Sequence, residues 1–97
     1  MSKLFLSEVR VTPVPPRDSL LAFGSVHYRG ELRISDLALH ATPTGDDFTI
    51  AYPLKTLFNG AKVHIVYPTN PEVAEAIRIA VVGKYLELVQ RARGEKT

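Results

Sequence analysis

Apolar and polar positions alternate with period two through the first half of the chain, and the period becomes helical toward the end. Leu4 to Thr12 reads as a strand, with Phe5, Ser7, Val9 and Val11 on one face and Leu4, Leu6, Glu8 and Arg10 on the other. Pro13, Pro15 and Pro16 close it, and Arg17-Asp18-Ser19 completes a polar loop. Leu20 to Tyr28 is a second strand, apolar on both faces at its start, which suits a central place in a sheet. Arg29-Gly30 is a tight turn, and Glu31 to His40 returns as a third strand. Within it Leu32 and Ile34 share one parity while Leu37 and Leu39 have the other. A β-bulge near Ser35-Asp36 would return all four to the core side, with Asp36 capping the local backbone.

After the loop Thr42 to Asp47, Phe48 to Pro71 reads as two β-rich arms around Asn59-Gly60, the dipeptide that best tolerates a type I′ hairpin turn. With those residues central, Thr56 faces Val63, Lys55 faces His64 and Tyr52 faces Tyr67. Each of these tyrosines is followed by a proline, which cannot donate to a ladder, so pairing should stop there. Asn70 is a good helix N-cap and Pro71 suits the first helical position, with Glu72 and Glu75 near the positive end of the helix dipole.

From Pro71 to about Arg93 the pattern is helical. Val73, Ile77, Ala80, Val81, Lys84 and Leu88 make one face. Ile79, Val82, Leu86 and Val89 make a second, well round the cylinder, and a single sheet covers only one of them. A second copy of the chain is the simplest partner for the other. Gly83 between the two groups favours close approach, since glycine inside a helix costs about 1 kcal/mol relative to alanine. The expected dimer interface is Ile79, Val82, Gly83, Leu86 and Val89. The elements sum to an α+β fold: an antiparallel sheet of about five strands, counting the hairpin, and one long C-terminal helix.

Ninety-seven residues make one domain over 1–97, with 1–3 and 94–97 expected to fray. The absence of cysteine removes disulfide scaffolds and thiolate metal sites. The apolar runs are too short for a membrane span, and Met1-Ser-Lys-Leu-Phe-Leu is too short and quickly polar for a signal peptide, so a cytoplasmic protein is the default. His27, His40 and His64 lack metal-ligand spacing, Asp46-Asp47 reads as a solvated turn, and no phosphate loop or nucleophile elbow occurs. The expectation is a protein without catalytic activity, metal or cofactor.

A net charge of +2 permits nucleic-acid binding without demanding it. The candidate contacts are Lys55 and Lys62 on the hairpin, Arg10 and Arg33 if they share a side of the sheet, and Arg91 and Arg93, with Lys96, near the helix end. Cations at a helix C-terminus also complement its dipole, and lysines on a hairpin also deter edge-to-edge aggregation. Gly94 reads as the helix stop.

The order Ser7-Glu-Val-Arg-Val, Leu20-Leu-Ala-Phe-Gly-Ser-Val, Ile34-Ser-Asp-Leu, Phe48-Thr-Ile-Ala-Tyr-Pro and Tyr67-Pro-Thr-Asn, followed by a helix, resembles the SpoVG family, the stage V sporulation protein G or septation regulators. The resemblance runs from about Leu6 to Leu88 and lies in the order and spacing of these segments. It implies a homodimeric bacterial cytoplasmic regulator that binds DNA, in some members RNA, and influences septation, sporulation and gene expression. Lys55 matches the first residue of the family's basic hairpin pair. Thr12, Ala38 and Thr56 stand where the family carries cations. The rival expectation is an interaction module that binds another protein through a sheet edge or the apolar helix face.

Overall fold

The computed structural model describes residues 6–95, apart from the side chains of Pro16 and residues 93–95. Strands β1 (Leu6–Arg17), β2 (Leu20–Tyr28), β3 (Leu32–Ala41) and β4 (Phe48–Ala51) form an antiparallel sheet in the order β1-β2-β3-β4. Strands β5 (Leu54–Thr56) and β6 (Lys62–His64) form a separate two-stranded sheet, and helix α1 (Pro71–Glu95) follows. The α+β architecture expected from the sequence is the one observed, with the first hairpin arm divided between the two sheets.

β1 does not end at Pro13. It continues through the prolines to Arg17, with Pro13 opposite Ala22 and Arg17 opposite Leu20. β1 is an edge strand, so a residue without an N–H leaves no ladder partner unmet on its open side. The expected facing of β1 is also corrected. Ser7 pairs with His27 and Arg10 with Ser25, so Glu8 and Val9 together oppose one residue of β2 in a bulge. Glu8 takes the left-handed backbone this requires, with φ 45°. Ser7 thereby leaves the face of Val9 and Val11, and Leu6 joins them against the core.

The bulge expected in β3 is present. Ile34 opposes Val26 and Leu37 opposes Gly24, while Asp36 has φ 59°. Leu37 and Leu39 are both fully buried as a result, and Ile34 packs against them, but Leu32, expected on the core side with them, is 61% exposed. Arg29 and Gly30 turn the chain between β2 and β3 with φ 56° and 70°, closed by the Glu31 N–H donating to the Tyr28 carbonyl at 3.0 Å.

The core is the contact between the inner sheet face and α1: Ala22, Val26, Leu37 and Leu39 meet Ile77 and Val81. Burying each of these larger aliphatic side chains contributes about 1.5–3 kcal/mol before entropy costs. Gly24 lies under this contact, where an added Cβ would come within 3.2 Å of the Arg10 carbonyl oxygen and 3.4 Å of Val81 Cγ1. Gly83 has no such constraint, since nothing among the described residues lies within 4 Å of a Cβ built there.

α1 begins as expected. Asn70 Oδ1 accepts from the N–H groups of Glu72 (2.8 Å) and Val73 (3.1 Å), satisfying two of the donors that a helix start leaves free. The helix runs on to Glu95, so Gly94 does not stop it. Arg78 ties the helix to the β3–β4 loop: it holds Glu75 with two hydrogen bonds (3.0 and 2.8 Å) and reaches Asp47 Oδ1 at 3.3 Å. Of the ends expected to fray, 1–3 and 94–97, residues 1–3 and 96–97 lie outside the described residues, as does Lys96, while 94–95 continue the helix.

Candidate nucleic-acid interface

Alternation along the strands decides which cations meet. With Ala22, Gly24 and Val26 of β2 turned to the helix, Phe23, Ser25 and His27 are turned to the opposite, outer face. Cross-strand pairing adds Arg10 and Thr12 from β1 and Arg33 from β3 to that outer face. Arg10 and Arg33 therefore share a side, which the sequence left open. Phe23 is 44% exposed there, beside Arg10, Thr12, Ser25, Ser35 and Asp36 around a shallow depression of about 260 Å³.

The Glu8 bulge organises this face. Arg33 donates to the Glu8 carboxylate at 3.0 Å, to the Glu8 carbonyl at 3.3 Å and to Ser25 Oγ at 3.1 Å. Arg10 lies 3.6 Å from the same carboxylate and His27 Nδ1 3.6 Å from its second oxygen. One carboxylate thus gathers three basic side chains. Arg33 is fixed by it, while Arg10, 69% exposed, stays open to solvent. Asp36 brings a second carboxylate, so the outer face is balanced in charge rather than strongly positive.

The hairpin departs from the expected register by one residue. Thr56 pairs with Lys62, Lys55 with Val63 and Leu54 with His64. The loop is Phe58-Asn59-Gly60, in which only Gly60 is left-handed, with φ 88°. Asn59 needs no positive φ because its Oδ1 accepts from the Ala61 N–H at 3.0 Å. Gly60 N–H donates to the Leu57 carbonyl at 2.9 Å, and Leu57 N–H to the Ala61 carbonyl at 2.7 Å. This is a three-residue turn with a glycine bulge in place of type I′. A slip of one residue inverts facing. Lys55 accordingly shares a face with Val63, and Lys62 stands on the other with Thr56, Leu54 and His64. Tyr52 and Tyr67 do not pair in the ladder. They meet instead, with Tyr28 and Ile77, around a cavity of about 320 Å³ near the helix start, where burial pushes the Tyr52 phenol up from its ordinary pKa.

The hairpin leaves the main sheet because two features coincide. Continuing the β3–β4 register would bring Pro53, which has no N–H, opposite Asp36 in the bulge. Every described residue of β5 and β6 is exposed, and neither strand pairs with the four-stranded sheet among the described residues.

Arg91 does not join these groups. α1 covers the inner face, opposite Arg10 and Arg33, and Arg91 is engaged with Glu87 at 3.4 Å, which also accepts from Lys84 at 3.1 Å. The side chain of Arg93 lies outside the described residues. On the expected dimer face, Ile79 is 59% and Leu86 42% exposed, with Gly83 exposed between them. Val82 departs from that expectation because it packs partly against its own core, and Val89 is half-buried.

The histidines are dispersed: His40 bonds Ser19 Oγ at 2.9 Å, His27 lies by Glu8, and His64 stacks near Tyr67 with ring centroids 5.3 Å apart. Among the described residues no three acidic or histidine side chains gather as a metal set, and no helix is long and apolar enough to cross a membrane. In comparisons with known proteins, no family model matches the chain and none of the curated proteins matches its sequence.

Sequence reasoning missed Phe23, Phe58 and the Glu8 clamp. The parity change from Leu4 and Leu6 to Val9 and Val11 is the same signal that located the β3 bulge, and it would have placed Glu8 as well.

Proposed function

We propose that the protein is a homodimeric, non-enzymatic cytoplasmic regulator of the SpoVG kind that binds DNA, with RNA as the alternative target, in the service of septation, sporulation or gene expression. The observation that carries the reading is the hairpin. From Phe48 to Pro71 the sequence holds Lys55, Lys62 and His64 and not one acidic residue. Its two strands stand clear of the main sheet with their side chains in solvent. A cationic projection without counter-charge suits phosphate contact, which gives affinity with little sequence choice. Arg10, exposed on the outer sheet face, extends the contact surface, and a two-fold axis through Ile79, Gly83 and Leu86 would double it.

The test is a charge-reversal variant, Arg10→Glu with Lys55→Glu and Lys62→Glu, titrated against labelled duplex DNA and single-stranded RNA. The reading expects binding to be lost while circular dichroism and oligomeric state stay unchanged. Equal binding by the variant overturns it.

One observation favours a second reading, a protein-binding module. β4 pairs only with Ala38–Ala41, which leaves the outer edge of β3 from Leu32 to Leu37 open. That edge borders a groove of about 350 Å³ lined by Leu32, Ile34, Pro53, Ile65 and Val66 among others. An extended peptide added to such an edge would bind without regard to salt.

A further inference from the structure

We infer that Phe58, at the hairpin tip, is an apolar wedge that inserts between adjacent base pairs of duplex DNA while Lys55 and Lys62 hold the phosphates on either side. The inference rests on the nucleic-acid reading and adds to it a reading residue and a mode of contact.

Phe58 is 107% exposed, the most exposed of the large hydrophobic side chains among the described residues. Its backbone is held firmly. The turn that presents it is closed by Gly60 N–H to the Leu57 carbonyl, Leu57 N–H to the Ala61 carbonyl and Ala61 N–H to Asn59 Oδ1. An aromatic ring on a tip fixed by three local hydrogen bonds loses little conformational freedom when it inserts. The observed register then matters. Because Lys55 and Lys62 stand on opposite faces of the ribbon, a hairpin entering a groove tip-first turns one cation toward each phosphate wall. Had they shared a face, one wall would have gone unmet. Apolar side chains at the ends of basic arms act in this way on duplex DNA, unstacking a base step and kinking it. The acid-free sequence from Phe48 to Pro71 leaves nothing on the arm to repel either strand.

The experiment uses the full chain and a duplex of about 20 base pairs with 2-aminopurine beside a central, easily unstacked TA step. Wild-type protein should raise the 2-aminopurine fluorescence. Phe58→Ala should still bind, about tenfold more weakly, the scale of one base stacked on an aromatic ring, and should abolish the rise. The chain has no tryptophan, so Phe58→Trp supplies a single indole whose emission should be quenched by the duplex. Full exposure at this position keeps all three proteins equally folded, which their melting curves check. Binding by wild type without a fluorescence rise, or an undiminished rise with Phe58→Ala, overturns the wedge and leaves the nucleic-acid reading standing. Absence of any duplex binding by the wild type overturns both. An indole that shifts to the blue on phosphatidylglycerol vesicles yet ignores the duplex assigns the tip to a lipid surface and likewise overturns the wedge.

Discussion

Arg33 grips Glu8 twice, donating to its carboxylate at 3.0 Å and to its backbone carbonyl at 3.3 Å, and so holds a non-glycine residue at φ 45° in an edge strand. The contact serves shape and charge together: the bulge turns Leu6 inward, and the carboxylate moderates Arg10, His27 and Arg33 on the outer face. Glu8→Gln keeps the acceptor oxygen and removes the charge. It should strengthen binding to duplex DNA by about two- to tenfold at low salt, since one phosphate competitor is gone. Fluorescence anisotropy titration measures this, and weaker binding would show that Glu8 acts by holding Arg10 and Arg33 in place.

The same cross-strand logic explains which features the sequence discloses. The three long strands, the β3 bulge, the Arg29-Gly30 turn and the Asn70 cap are written in local chemistry: parity, positive-φ residues and a capping side chain. The hairpin register was not, because Asn59-Gly60 satisfies two turns, and the choice between them depends on Asn59 Oδ1 meeting the Ala61 N–H. β1 outlasted its prolines because it lies at the sheet edge, a tertiary fact. Arg10 and Arg33 share a side because Arg10 pairs with Ser25 and Arg33 with His27, a register that only the folded sheet sets. Phe23 and Phe58 look like core residues in a linear reading, and only the fold shows them facing water.

At the helix start, Asn70 Oδ1 accepts from two N–H groups with no other helical partner. Asn70→Ala should cost about 1 kcal/mol of stability, read as an earlier urea midpoint with an unchanged slope. Asn70→Asp should retain the cap and restore the midpoint.

Arg78 gives stability a dependence on pH. Its hydrogen bonds hold the Glu75 carboxyl below the ordinary value of 4.5. The unfolded chain therefore takes up this proton first as the solution is acidified. The pair's contribution is complete above the unfolded value and is lost as pH falls through the lower, folded one. A plot of melting temperature against pH should fall less steeply in acid for Glu75→Gln than for wild type. Parallel curves would mean that solvent screens the pair completely.

Ile79 and Leu86 present apolar surface on the side of α1 away from the core, with Gly83 open between them. Leu86→Lys should convert a dimer to a monomer in sedimentation without lowering helix content, because the side chain is 42% exposed within one chain. A wild-type protein that already sediments as a single chain would remove this interface from the account.

The central claim is that cations on the hairpin of each subunit contact phosphates, and salt tests it most directly. Lys55 and Lys62 from two subunits make four contacts, and each contributes about 0.9 to the dependence of log K on log salt. Titrating wild-type protein against duplex DNA over a range of salt concentrations should give a slope of roughly −3.6 from the hairpins, steeper by the share of Arg10, and Lys55→Glu with Lys62→Glu should remove the hairpin share and leave only that of Arg10. A wild-type slope near zero, or no complex at low salt, would contradict the account.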